Sequence, residues 1–248
     1  VSLPFSTKTQ LPFWKRVTRG MQIYLATPRL QGGLILHGVV AVAGAMVFVN
    51  TVVLVQGHFG LTEQDTALTL AAFGVGSMLV ALASPKLLEK FSERTVMLLG
   101  SLILVISLGI STGIEEWREL LPVWTMLGSG YSMIHIPMGR LLRRSAHTED
   151  RPALFAAHFS LSHACWLIAY PTVGWLGATL ELSLTFGILA MGCLLGCVLA
   201  WRVWPKIDPI DLEHRHDDLS SDHPHLSGTQ VHVHPYVIDD LHPQWPGR

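Results

Sequence analysis

Residues 33–56 read GLILHGVVAVAGAMVFVNTVVLVQ, without one Asp, Glu, Lys or Arg. At ~1.5 Å per residue a helix of this length covers the ~30 Å hydrocarbon core of a bilayer. Residues 67–83 are likewise free of charge. Working outward, six apolar segments can be drawn: Gly33–Gln56, Ala67–Ala83, Val96–Gly113, Leu121–Leu142, Ala153–Trp175 and Leu182–Trp204. Each has the length of a spanning helix. Glycines recur inside them, as in Gly74-Val-Gly76 and Gly192-Cys-Leu-Leu-Gly196. A soluble helix loses stability at such positions, whereas in lipid small residues let helix backbones approach closely. The expected fold is an all-α polytopic membrane protein, a six-transmembrane-helix bundle.

The whole composition agrees. Of 248 residues, 50% are apolar and only 14% charged, against about a quarter charged in soluble domains. Mean hydropathy is +0.41. This excludes an ordinary soluble enzyme and a disordered chain. A net charge of −1 with no large basic face excludes a nucleic-acid binder. Cys165, Cys193 and Cys197 lie in apolar stretches, so no disulfide framework is implied. Residue 1 is Val rather than Met, which suggests a fragment or a processed chain, and residues 1–29 lack the apolar core of a signal peptide.

The connecting segments set the orientation. Lys8, Lys15, Arg16, Arg19 and Arg29 precede the first span, Lys86, Lys90 and Arg94 lie in an 84–94 loop, and Arg140, Arg143, Arg144 and Arg151 in a 139–151 loop. The other loops hold Glu63 and Asp65, then Glu115, Glu116 and Glu119 beside Arg118, then Glu181. Basic and acidic loops alternate, so the positive-inside rule places both termini in the cytoplasm. Trp117, Trp124 and Trp175 fall at outer boundaries and Trp201 and Trp204 at the inner one, as an aromatic belt requires. Residues 1–32 read as a basic cytoplasmic linker, either an amphipathic surface helix or an unstructured segment. Residues 33–204 are the transmembrane domain and 205–248 a disordered, His-rich cytoplasmic tail.

The 84–100 segment, Ser-Pro-Lys-Leu-Leu-Glu-Lys-Phe-Ser-Glu-Arg-Thr-Val-Met-Leu-Leu-Gly, resembles the loop motif between the second and third helices of each half of major facilitator superfamily (MFS) transporters. Glu89 stands at the acidic position, Lys90 and Arg94 at basic ones, Ser92 at the second glycine, and Ser84 replaces the first. Pro137-Met-Gly-Arg140 through Arg144, and Ser162-His-Ala-Cys-Trp166 with Tyr170-Pro171 and Gly174-Trp175, also resemble the fourth and fifth helices of a carrier half. The resemblance covers about residues 15–205. It implies one 3+3 half of a twelve-helix carrier, the C-terminal one, with the N-terminal six helices or a second copy as partner. Glu89, Lys90 and Arg94 are then gating-loop residues. No P-loop sequence suggests an ATP-driven pump.

Polar groups inside spans are functional candidates. The spans contain no Asp or Glu, so a coupling proton would be carried by the missing half or by histidine. His163, Trp166 and Tyr170 share one helix face at spacings of three and four. With His135, and with Asn50 lining the cavity or bonding a neighbouring helix, they are the candidate substrate pathway. His37 and His158 read as interfacial.

The tail pairs its histidines at intervals of nine: His214 and His216, His223 and His225, His232 and His234. In an extended chain, residues i and i+2 face one side, and imidazoles with nearby Asp suit a divalent transition metal. Such a tail also resembles those of some bacterial nickel- and cobalt-resistance permeases of the superfamily.

These readings predict no enzyme but a secondary active permease of the bacterial inner membrane. It would perform proton-coupled efflux of small molecules by alternating access, with no required cofactor. Two rivals are an exporter of divalent Ni, Co or Zn with the tail as regulator, and a non-transporting membrane metal sensor.

Overall fold

The computed structural model describes residues 13–208, 211–215 and 231–246. A short helix, α1 (Phe13–Ala26), leads into α2 (Pro28–Val52), α3 (Glu63–Lys90), α4 (Glu93–Ser111), α5 (Trp117–Arg144), α6 (Arg151–Thr179) and α7 (Leu182–Val203). Two strands follow, β1 (Asp211–Arg215) and β2 (Val231–Pro235). The result is an all-α membrane bundle with one small antiparallel ribbon. Helices end where sequence chemistry ends them. Pro28 opens α2, where its missing N–H is no loss. Thr62 and Asp65 form a reciprocal capping box at the start of α3, with the Thr62 N–H donating to Asp65 Oδ2 at 3.0 Å. A π-helical turn, Val53–His58, extends α2, and Gly60 at φ 67° supplies the left-handed residue of the turn into α3.

Several helices outrun their apolar windows. The segment read as an 84–94 loop is helical to Lys90, and the break is confined to Phe91 and Ser92. Pro85 sits inside α3, Pro122 and Pro137 inside α5, and Pro171 inside α6. Spanning helices tolerate proline because nearby hydroxyls and helices satisfy the freed carbonyls; the Ser84 hydroxyl donates to Ala81 O at 2.9 Å.

Among the described residues five helices are long and apolar enough to cross a membrane: α2 with its π-helical extension, α3, α4, α6 and α7. The expected fourth span, α5, has the 28-residue length of α3 but is less apolar, because its middle carries Thr125, Ser129, Tyr131, Ser132 and His135 between Pro122 and Pro137. Its apolar side is buried against α3 and α4.

Packing repeats across the two helix triplets. Helix α2 packs on α6 and α7, α5 packs on α3 and α4, and α4 and α7 close on one another. Exchanging α2–α4 with α5–α7 maps these contacts onto themselves, the signature of an internal 3+3 repeat. The seams use small residues and hydroxyls, as lipid-embedded interfaces do. A Cβ on Gly76 would lie 1.9 Å from Thr125 O, and one on Gly128 1.9 Å from Phe73 O, so α3 and α5 touch backbone to backbone. Thr125 and Ser129 donate across that seam to Ala72 O and Gly76 O at 3.1 and 3.3 Å. Trp124 Nε1 donates to Thr51 Oγ1 at 2.9 Å and ties α5 to α2.

Two polar segments take definite structure, the first as a helix, one of its two expected forms. Residues 13–26 are helical and pack on α6, closely enough that a Cβ on Gly20 would meet Ala153 O. The tail is ordered in its described parts. Asp211–Arg215 pairs antiparallel with Val231–Pro235, and Tyr236, Val237, Ile238, His242 and Trp245 are buried against the basic end of the bundle. The physical reason is that aromatic and branched residues in 231–245 give this stretch apolar surface to bury, despite its histidines and aspartates.

Candidate functional site: an aromatic face ending in histidines

Helices α2, α3, α5 and α6 carry a chain of ring contacts. Phe48 lies 5.6 Å from Phe73, 6.4 Å from Tyr131 and 6.1 Å from Trp166, centroid to centroid. Phe73 and Tyr131 are 5.4 Å apart, and Trp166 and Tyr170 5.1 Å. These separations suit aromatic pairing. Trp166 is seated on Gly44, where a Cβ would come within 2.4 Å of its ring. Phe48 and Tyr170 are 46% and 41% exposed, so the face is open rather than sealed in the core.

Toward the basic end the chain of rings becomes polar. Tyr131 lies 4.4 Å from His135, and His37 lies 4.9 Å from His135 and 4.7 Å from His158. Tyr24 of α1 stacks on His158, its hydroxyl 3.0 Å from Nδ1. Burial pushes the Tyr24 phenol above its ordinary pKa, so it remains a hydroxyl.

Three of the expected pathway residues, His135, Trp166 and Tyr170, meet on this face. His163 stands apart from the ring chain: it is exposed, with its ring 3.9 Å from Phe159 and Nδ1 donating to Phe159 O at 2.8 Å. Asn50 is turned into the α2–α6 seam, where Nδ2 donates to Val173 O at 3.2 Å; it is a helix-joining residue rather than a cavity one. His37 and His158, read as interfacial, join the cluster instead. His37 and His135 lie one on each triplet's first helix, at depths visible in the sequence. Their meeting depends on how α2 crosses α5 and α6.

A charged network closes the basic end. Glu93 is buried and faces Arg140 Nε at 2.8 Å and Arg144 at 3.8 Å. Asp208 bridges Arg144 and Arg29, the latter at 3.0 Å, and accepts from Trp204 Nε1 at 3.2 Å. Arg29 also donates to Ser145 Oγ and Tyr236 O and lies 4.8 Å under the Trp245 ring. Of the expected gating residues, Glu89 is exposed and Lys90 lies 5.6 Å over Phe91. Arg94 donates to Trp201 O and Trp204 O, capping α7. The paired acid is therefore Glu93, four residues beyond Glu89, because α3 continues to Lys90 and carries Glu89 out to the surface.

Tail residues add a second polar knot. Asp239 accepts from His147 Nε2 at 3.1 Å and His242 Nδ1 at 2.8 Å. Burial raises its carboxyl, and these hydrogen bonds outweigh that and hold it below the usual carboxylate range. Of the expected metal ligands, His216, His223 and His225 lie outside the described residues. His214 and His232 stand opposite one another in the β1–β2 register, and the His234 ring is 5.1 Å from His242. Among the described residues no group of three or more His, Cys, Asp or Glu is placed to hold a metal ion.

A bundle of apolar helices with an internal 3+3 repeat and an open aromatic face defines a polytopic membrane protein. The family model of the Major Facilitator Superfamily matches residues 34–227, and the chain belongs to this superfamily of membrane transporters. No curated protein and no solved structure matches it.

Proposed function

We propose that this chain is a six-helix half of a secondary active transporter that exports small molecules, driven by protons, through alternating access. The observation that carries this reading is the open aromatic face on α2, α3, α5 and α6, with Phe48 and Tyr170 exposed at its surface. Rings presented on the helices that enclose a midplane cavity suit flat, apolar or cationic organic cargo. The other six-helix half, or a second copy, supplies the opposite wall. Basic loops at one end and acidic loops at the other support a cytoplasmic location for both ends of the chain in a bacterial inner membrane. The charged network around Glu93 and Asp208 is suited to hold the cytoplasmic side closed in this conformer.

The test uses everted membrane vesicles carrying the polypeptide, with ethidium, tetraphenylphosphonium and berberine as probes. Acid-inside vesicles should accumulate at least one probe, collapse of the pH gradient should abolish the uptake, and Trp166→Ala should lower it about tenfold or more. No gradient-dependent uptake of any probe overturns the reading.

A metal-ion cargo rests on the His-x-His pairs and on the register that sets His214 opposite His232. Loss of nickel, cobalt or zinc resistance on deleting 205–248 supports it, and unchanged resistance counts against it.

A further inference from the structure

Histidines from three helices converge roughly 10–14 Å in from the basic ends of α2, α5 and α6, at ~1.5 Å per residue. His37 and His135 meet edge to face, as do His37 and His158. The Nδ1 of His37 donates to Gly33 O at 2.9 Å. A neutral imidazole carries one proton, so Nε2 of His37 is left with a bare lone pair. That atom, and Nε2 of His135, are buried with no hydrogen-bond partner among the described residues. Buried polar atoms are nearly always satisfied, and two unpaired nitrogens in one cluster call for a role.

The surroundings narrow the role. Tyr24 faces the cluster from α1, Tyr131 from α5, and Cys165 and His163 from α6 lie within electrostatic reach of Tyr24 and His158 respectively. Among the described residues no carboxylate and no Lys or Arg pairs with the three rings. A metal ion is disfavoured, because no group of three ligands is suitably placed there. What remains is a set of imidazoles with unpaired nitrogens, in spans whose sequence holds no Asp or Glu. On its bundle side the cluster touches the aromatic face through Tyr131, and on its basic side it is covered by Tyr24, which is fully buried.

We propose that His37, His135 and His158 are the proton-binding site of the transporter, that the site holds one proton at a time, and that Tyr24 of α1 closes it at the basic end. This rests on the transporter reading above. A proton delivered by water bonds to the Nε2 lone pair of His37 or His135, while the other proton of His37 stays on Nδ1, donated to Gly33 O. The new N–H is satisfied by the water that delivers the proton, since neither Nε2 has a hydrogen-bond partner among the described residues. Release reverses the step, and no bond other than N–H and O–H changes. A second proton is opposed by the first at these ring separations. A charge in this cage lacks a counter-ion, so protonation accompanies entry of water and displacement of Tyr24.

Nitrogen-15 NMR of the full chain, labelled at histidine and held in lipid bilayers, tests this. At about pH 8 His37 should be neutral with its proton on Nδ1, and acidification to about pH 5 should produce one imidazolium from the cluster. His135→Gln should remove or displace that signal, and Tyr24→Ala should move the step to higher pH by exposing the cluster to water. No cluster imidazolium in either the parent chain or Tyr24→Ala overturns the proposal, as does protonation of all three rings together or a step unmoved by Tyr24→Ala. Protonation without probe uptake in vesicles sinks the transport reading alone; gradient-driven uptake with silent histidines sinks the proton site alone.

Discussion

Gly74 and Gly76 are two residues apart on α3 and have opposite surroundings. Nothing lies within 4 Å of a Cβ added at Gly74, whereas at Gly76 it would collide with the α5 backbone. Gly76→Ala should therefore destabilise the bundle by about 1–3 kcal/mol through forced separation of α3 and α5. Gly74→Ala should be neutral or slightly stabilising, and a thermal melt in detergent distinguishes the two. The same contrast separates Glu93 from Glu89. Glu93→Gln leaves Arg140 and Arg144 facing a neutral, buried side chain and should cost about 1–3 kcal/mol. Glu89→Gln should leave the melt unchanged. The acid expected in the gating loop is Glu89, whereas the acid that faces Arg140 and Arg144 is Glu93. Its neighbours are chosen by where α3 stops, and that depends on capping by Ser92 and on the helix continuing through Pro85. Asn50 is similar: the sequence shows a polar group in lipid, and only the position of Val173 assigns it to the α2–α6 seam.

At the scale of elements, α5 and the tail carry the lesson. Helix α5 looks like a weak span because its polar residues are counted as if they met lipid. Packed among α2, α3 and α4, it instead directs Ser129, Ser132 and Tyr131 at partners. The tail looks disordered by composition, yet its last stretch is tied down by Asp239, Arg29 and buried rings. Asp239→Asn should release it, read as several-fold faster proteolysis beyond residue 208 with the bundle intact. The pH dependence has a definite sign. The Asp239 carboxyl is held low in the docked state, so its contribution is fully present above the ordinary carboxylate pKa of about 4 and is lost as pH falls through the lower, docked value. Docking that is weakest at neutral pH and recovers on acidification would contradict this linkage.

For the whole molecule, the repeat of α2–α4 in α5–α7 places α2 and α5 as equivalent helices and leaves one aromatic face uncovered. A second six-helix unit should cover that face. Phe48→Cys, in the polypeptide as found in native membranes, should form a crosslink across to that unit with a short bis-maleimide. A crosslink confined to residues of this chain would contradict it. A fluorescent protein fused after Arg248 should mature, as it does only in the cytoplasm, if the basic end faces inward.

Composition alone determined that this chain lives in a bilayer, because charge-free runs of ~20 residues are stable nowhere else. The period of those runs and the alternation of basic and acidic segments determined the number of long helices and their alternating sense, since both depend on local residue type. Tertiary structure decided the rest. It determined which histidines meet, which glutamate is paired, and whether Asn50 faces a cavity or a helix. These depend on crossing angles and on where helices end, which are set by close packing of surfaces far apart in the chain. His37, His135 and His158 are separated by up to 121 positions in sequence, and only the packing of α2 against α5 and α6 brings the rings of His135 and His158 within 5 Å of that of His37, centroid to centroid.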